Sequence, residues 1–388
     1  MLGRRQGIGR LGAVSLVALG CAVSAGVACG CSGAPAAASL EGASGAPSSA
    51  PGPSAGTAAG DGVAQGTSGA SGPDDADAAA PAPVEGDAGP GDAATTPDPP
   101  NPAGGLTALQ KHKAEMLTSL WENSTTVLQY SYCENIKDGR GYTSGRAGFC
   151  SGTGDAILVV KCFDEAFGTG ASNPMARYMP ALVSINDRFE STGNDQADTS
   201  PLDAVGAYCS DWSKATASTA TAAAFQGCQD VIAGKLYYEP GLALASRWGL
   251  VTALTKAELY DAEINHGDDG VVALVKLANQ DVGNAAQKAP AAPLGIAEES
   301  AWLGAFLLRR LQLLGSDPTW ADAVDRVTTY EQLRKQGNFD LSGVIRTDAK
   351  AVKMYPSKGY KDSGYPDCSI APDGTVTGDA ACTSATGQ

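Results

Sequence analysis

Between Leu11 and Gln110 the sequence contains no lysine or arginine. Between Ser32 and Gly105 its large aliphatic residues are Leu40, Val63 and Val84, with no aromatic ring. So little apolar surface cannot build a core. Long apolar runs are also missing: the most apolar stretch, Leu11 to Leu19, is about ten residues, too short to span a bilayer core of roughly 30 Å. No repeat of solenoid type is present, and no pair of downstream cysteines has zinc-site spacing. What remains of the 388 residues, Leu106 to Gln388, is long enough for one large domain or a two-lobed one around a cleft.

Charge narrows the partners. The chain carries −15, and Leu106 to Gln388 alone has 24 Lys and Arg against 33 Asp and Glu. A net negative surface repels nucleic acid and anionic membranes but concentrates a polycation. Solubility of an exported protein would account for the acidity equally well.

The N-terminus reads as an export signal over residues 1–31: Arg4, Arg5 and Arg10 precede the apolar run, which ends in small residues and cysteines. Ala18-Leu19-Gly20-Cys21 resembles a lipoprotein cleavage box, with a lipid anchor on Cys21 as the expectation and ordinary signal cleavage as the alternative. Either way the protein is expected outside the cell, free or surface-tethered. Residues 32–105, rich in Ala, Gly, Pro and Ser, read as a disordered spacer. The folded unit is expected over 106–365, with 366–388 as a tail stapled by Cys368–Cys382. Seven cysteines lie beyond the spacer, and an exported chain favours disulfides. Cys209 with Cys228 is a second pair by proximity, and Cys150, between apolar neighbours, reads as a buried free thiol.

Apolar residues at Leu109, Met116, Leu117, Leu120 and Trp121 mark a helix ending beside Glu122-Asn123. The negative partial charge at a helix C-terminus would raise the pKa of Glu122. Tyr130 to Gly154, aromatic, glycine-rich and broken at Asp138-Gly139, reads as short strands and turns. Ser151 to Asp155 opens the next helix. Helical patterns follow over Met175 to Asn186, Ala215 to Leu236, Pro240 to Asn265, Gly270 to Ala278, Glu298 to Leu314 and Trp320 to Gln336. The fold class is therefore α+β, mostly α-helical, with one small sheet.

Glu122 and Asp138, sixteen residues apart, have the elements for hydrolysing a glycosidic bond: one acid to protonate the leaving oxygen, one base to activate water. In so acidic a chain the spacing alone has little weight. Their neighbours add more. Glu122-Asn123-Ser124, Tyr132-Cys133-Glu134-Asn135-Ile136-Lys137-Asp138-Gly139-Arg140-Gly141-Tyr142-Thr143 and Gly148-Phe149-Cys150-Ser151-Gly152-Thr153-Gly154-Asp155 resemble the active-site blocks of family 46 glycoside hydrolases, the chitosanases. The resemblance continues through Ala176 to Leu182, Tyr237 to Pro240, Leu259 to Ala262 with His266-Gly267, and Leu303 to Leu307, covering about Leu106 to Tyr355.

That resemblance implies a lysozyme-like, two-lobed fold with a small β-sheet at the substrate cleft. It also implies an inverting endo-hydrolase of β-1,4-linked glucosamine polymers, with no metal or cofactor implied; the sequence shows no sign of an obligate oligomer, so a monomer is expected. Glu122 matches the general acid, Asp138 the general base, and Thr143 the residue that helps hold the attacking water. Ser124, Tyr132, Arg140, Thr153 and Asp155 match sugar-contacting cleft residues. Asp155 is the one suited to a glucosamine ammonium, and Arg140 stands to pair with the Asp138 carboxylate. Asp261 would join a supporting network with a late arginine such as Arg310 or, equally, be a packed or exposed helix residue. His266 would line the cleft or serve structurally, and Glu299 would face substrate or serve the helix dipole. Asn135 stands where the family pattern has an acid, and Ser357 and Asp362 stand near an expected subsite aspartate. These departures bear on subsite preference. Two competing readings are a peptidoglycan-cleaving, lysozyme-like enzyme, which can manage with one glutamate, and a noncatalytic polysaccharide-binding lipoprotein.

Overall fold

The structure is a computed structural model that describes residues 104–193, 198–316 and 320–384. The export signal and all but the end of the spacer lie outside the described residues. The chain runs α1 (Ala108–Asn123), β1 (Cys133–Glu134), β2 (Thr143–Ser144), β3 (Phe149–Cys150), α2 (Asp155–Phe167), α3 (Met179–Thr192), α4 (Ser200–Val205), α5 (Tyr208–Ala217) and α6 (Ala222–Ala233). It continues α7 (Glu239–Arg247), α8 (Ala253–Asp281), α9 (Ile296–Ser316), α10 (Val324–Gln336), β4 (Ile345–Arg346), α11 (Ala351–Met354), β5 (Cys368–Ile370) and β6 (Val376–Gly378). The strands form two antiparallel sheets, β1-β2-β3 and β4-β5-β6.

Helix α1 begins where Thr107 caps Gln110 and Gln110 returns a bond to the Thr107 N–H, a reciprocal capping box. Its stripe of Met116, Leu117, Leu120 and Trp121 is buried. Helices α8, α9 and α10 pack together behind it, burying Leu254, Leu259, Trp302, Phe306 and Tyr330. Each such aliphatic or aromatic side chain contributes roughly 1.5–3 kcal/mol. Two expected helices are interrupted. The Ala215 to Leu236 segment breaks between α5 and α6, and Pro240 to Asn265 breaks at Gly249, whose φ of 66° ends α7.

The long helix α8 is held at its start by Glu299 of α9. The Glu299 carboxylate accepts the Val251 N–H (2.9 Å), the Thr252 N–H (3.0 Å) and the Thr252 hydroxyl (2.6 Å). Glu299 is fully buried, so it faces the interior and not a substrate. Farther along, α8 is interrupted at Gly267, whose φ of 69° and ψ of 169° are not helical. The same helix carries a buried carboxyl without a partner: Glu263 is 1% exposed and its Oε1 accepts no hydrogen bond. Burial, with a smaller push from Asp268, raises its pKa to about 8. An acid raised in this way keeps its proton longer in the folded state. Its contribution is fully present below the unfolded pKa near 4.3 and is lost as pH climbs toward 8. Glu263→Gln is therefore expected to stabilise the fold by on the order of 1–3 kcal/mol at pH 8 and to change little at pH 4. Urea unfolding at the two pH values measures it.

The disulfides correct part of the sequence reading. Cys209 does not pair with Cys228: the bridges are Cys133–Cys209 and Cys162–Cys228. The cause is topological, since α5 packs on β1 and α6 on α2, so neighbours in sequence face different partners. Cys150 is buried as expected but disulfide-bonded and not a free thiol; apolar surroundings suit a disulfide as well as a thiol. Cys368–Cys382 is present, yet residues 366–384 are not a loose tail. Their strands β5 and β6 complete the second sheet, and the bridge packs on Leu120 and Trp121 of α1.

Candidate active site

Glu122 sits in the last turn of α1 and is 7% exposed. Its Oε1 accepts Arg326 Nη2 of α10 at 2.8 Å. From there a chain of alternating charge runs through the interior. Arg326 also donates twice to Asp261 of α8, Nε to Oδ2 at 3.1 Å and Nη2 to Oδ1 at 2.9 Å. Asp261 Oδ2 pairs with Arg310 Nη2 of α9 at 2.8 Å, and Arg310 Nη1 pairs with Glu258 Oε1 at 2.8 Å. Thr118 of α1 donates to Asp261 (3.2 Å), and Arg310 also donates to Asn265 (3.1 Å) and His266 (3.1 Å). Glu258, Asp261 and Asn265 share one face of α8 because residues three and four apart on a helix lie side by side.

The charge count explains what this chain does. Three carboxylates meet two guanidiniums, so full ionisation would leave one uncompensated negative charge in a water-poor interior. Asp261 touches both arginines, and although burial works against its ionisation, Arg326 and Arg310 outweigh it and lower its pKa to about 2. The terminal acids have one arginine each. Burial raises Glu258 to about 7 despite Arg310, and burial likewise raises Glu122 against the pull of Arg326. The net shift for Glu122 is upward, toward the protonated form. The shift has the direction expected from sequence, but burial supplies it, not the helix end.

Asp138 lies in the loop between β1 and β2, not within the sheet. The loop turns through positive φ at Lys137 (63°), Gly139 (92°) and Gly141 (88°), which the glycines adopt without strain. Asn135 fixes its entry by accepting the Lys137 N–H at 3.1 Å. Arg140 then wraps Asp138, its N–H bonding Oδ1 (2.9 Å) while Nε and Nη2 bond Oδ2 (2.9 and 2.8 Å). Both side chains remain about one-fifth exposed, at 19% and 20%.

The other expected residues divide. Thr143 is fully buried on β2, between Glu134 and Cys150. Tyr132 is nearly buried, its hydroxyl donating to Glu134 at 3.3 Å. Ser124, at φ 54°, ends α1 and is partly exposed. Asp155 opens α2, where the helix N-terminus favours negative charge. It accepts the Thr153 hydroxyl at 2.8 Å and the Tyr237 hydroxyl at 3.4 Å. Burial raises its pKa while the Thr153 bond opposes the rise. His266 is 3% exposed and accepts from Arg310 Nε, so it has no face for a sugar and belongs to the supporting chain. Burial and the Arg310 charge hold its imidazole neutral, with a pKa well below the usual one. Sequence reading named Arg310 but missed Arg326, the arginine that touches Glu122. Helix α10 gives little signal for it, because the whole stretch from Val324 to Glu331 is buried and polar residues surround Arg326.

Among the described residues no group of three or more His, Cys, Asp or Glu could hold a metal ion, and no helix is long and apolar enough to cross a membrane. The site has a buried carboxyl at a helix end, its pKa raised by burial, and a second carboxyl held by arginine on a separate loop. Two such groups are the equipment of a glycoside hydrolase.

The comparisons with known proteins give the particular family. Residues 116–345 match the model of glycosyl hydrolase family 46. The chain is 36% identical over 253 residues to a chitosanase of Bacillus subtilis (strain 168), covering 63% of this chain and 83% of that one. The crystal structure of native chitosanase from Bacillus subtilis MY002 superposes with a TM-score of 0.52 at 34% identity, covering 62% of this chain and 95% of that one. A complex of a Gynuella sunshinyii family 46 chitosanase with chitotetraose gives 0.51 at 30% identity, over 63% and 97% of the two chains. The chain belongs to glycosyl hydrolase family 46, and its mostly α-helical architecture is the lysozyme-like fold of that family.

Proposed function

We propose that the protein hydrolyses chitosan, cleaving β-1,4-glucosaminidic bonds within the chain with inversion. The observation that carries this is the burial of the Glu122 carboxyl at the end of the charge chain, which favours, against the pull of Arg326, the protonated acid that departure of a sugar oxygen requires. Asp138, ion-paired to Arg140 and partly open to solvent, is the base that takes a proton from the attacking water. Ser124, Tyr132, Arg140, Thr153 and Asp155 contact the sugars, and the Asp155 carboxyl receives a glucosamine ammonium. The relatives support the substrate, being chitosanases by name, one of them complexed with chitotetraose. The excess of acidic over basic residues supports it too, because a deacetylated chain is a polycation. Export and tethering through Cys21 complete the reading and rest on the sequence alone.

The test is reducing-end release from highly deacetylated chitosan, chitin and peptidoglycan by the purified protein. Release from chitosan and little from the other two is the expected result. Release from peptidoglycan alone would replace this reading with the lysozyme-like one, and chitosan binding without release would replace it with the noncatalytic one.

A further inference from the structure

The segment from Thr347 to Ser384 lies beyond the region that matches the family, residues 116–345, yet it grips the end of α1 on both sides of Glu122. On the near side, the Tyr365 hydroxyl donates to the Trp121 carbonyl at 2.9 Å, and its ring stands edge-on to the Trp121 indole at 5.1 Å. That carbonyl is among the last four of the helix, which no intrahelical N–H can satisfy. On the far side, the Cys382 carbonyl accepts the Thr126 N–H (3.0 Å), the Thr126 hydroxyl (2.6 Å) and the Thr125 hydroxyl (3.3 Å). The Cys368–Cys382 bridge ties the two grips together, packed on Leu120 and Trp121.

The same segment also fixes the partner of Glu122. Asp325, next to Arg326 and fully buried, accepts the Ala351 N–H at 2.6 Å and the Ser363 hydroxyl. Lys350 Nζ donates to the Tyr365 carbonyl at 2.8 Å, and Tyr365 lies within electrostatic reach of Arg326. Both ends of the Glu122–Arg326 pair thus lean on residues that the family match does not include.

We infer that Tyr365 is a positioning residue for the reaction, fixing the last turn of α1 and through it the carboxyl of Glu122. The inference rests on the reading of Glu122 as the acid. Tyr365→Phe removes the hydroxyl and leaves the ring against Trp121. Kinetics on a chitosan oligomer are compared with those on the matching β-glucosaminyl oligomer fluoride, whose leaving group departs with little help from an acid. Glu122→Gln is measured beside it.

The expected result for Tyr365→Phe is a kcat on the chitosan oligomer about tenfold lower with KM unchanged, and fluoride hydrolysis within about twofold of wild type. The thermal midpoint should stay within about 3 °C of wild type, which separates misplacement of the acid from loss of fold. Thr126→Val, loosening the opposite grip, is expected to act in the same direction. An unchanged kcat on the oligomer, or an equal loss on both substrates, would overturn the inference. A Glu122→Gln enzyme that gains nothing from the fluoride would remove the acid assignment itself, and the positioning role with it.

Discussion

Glu122→Gln and Asp138→Asn are each expected to lower kcat on chitosan about 10³-fold, with KM little changed. The two losses arise differently. A glutamine at position 122 has the shape of the protonated acid but no proton to give. Arg326 keeps its two bonds to Asp261, so the helix end should stay in place. Asparagine at 138 cannot accept the proton of water, and the loop loses its ion pair with Arg140. Because both side chains of that pair are about one-fifth exposed, its loss costs at most about 1 kcal/mol of stability. Both variants should therefore unfold close to wild type while being almost inactive. Either one keeping more than about a tenth of wild-type kcat would remove that residue from the mechanism.

Arg326→Ala is expected to be the most damaging single change to the fold itself. It leaves Glu122 without its guanidinium and takes one of two arginines from Asp261, all within the interior. Breaking one partner out of a buried ion pair costs about 3–5 kcal/mol, a large share of the roughly 5–15 kcal/mol that holds a domain together. Urea unfolding should show it, with Arg326→Lys, which keeps a charge but not the fork, falling between. The acid limb should change as well. Because Asp261 titrates at about 2 in the folded protein, below its unfolded value near 3.9, its stabilisation is present above about pH 4 and fades as pH falls toward 2. With Arg326 gone, the folded pKa rises toward the unfolded one, so this acid-side loss should shrink.

How much of this could be read from the sequence depends on how local each feature is. The stripe of α1 placed Glu122 at a helix end, and Asp138-Gly139-Arg140-Gly141 announced a loop, because periodicity and glycine act over a few residues. The charge chain was less legible. Glu122 and Arg326 stand 204 residues apart, and no local pattern says which arginine among α9 and α10 reaches a given acid. Arg310 occupies the apolar face of α9, a signal that marks burial without naming a partner, whereas Arg326 stands in a mostly polar stretch of α10 that is buried all round. His266 invited a cleft position because it sits beside the family-like Gly267, whereas the fold turns it inward onto Arg310. The second sheet escaped notice for a simpler reason. Its strands are two or three residues long and its segment is polar, so alternation never becomes visible, and only the cysteine pair hinted at order. The Cys209–Cys228 error has the same root, since pairing follows helix packing and not distance along the chain.

The most direct test of the two-carboxylate account is the anomeric form of the first product, followed by proton NMR as the enzyme cleaves a chitosan oligomer. In the proposed mechanism, water activated by Asp138 on the face opposite to Glu122 attacks in a single displacement. The new reducing end should therefore appear first as the α-anomer and only then mutarotate. Initial release of the β-anomer would mean a covalent intermediate and a nucleophile in place of a base, and would contradict the roles of Glu122 as acid and Asp138 as base.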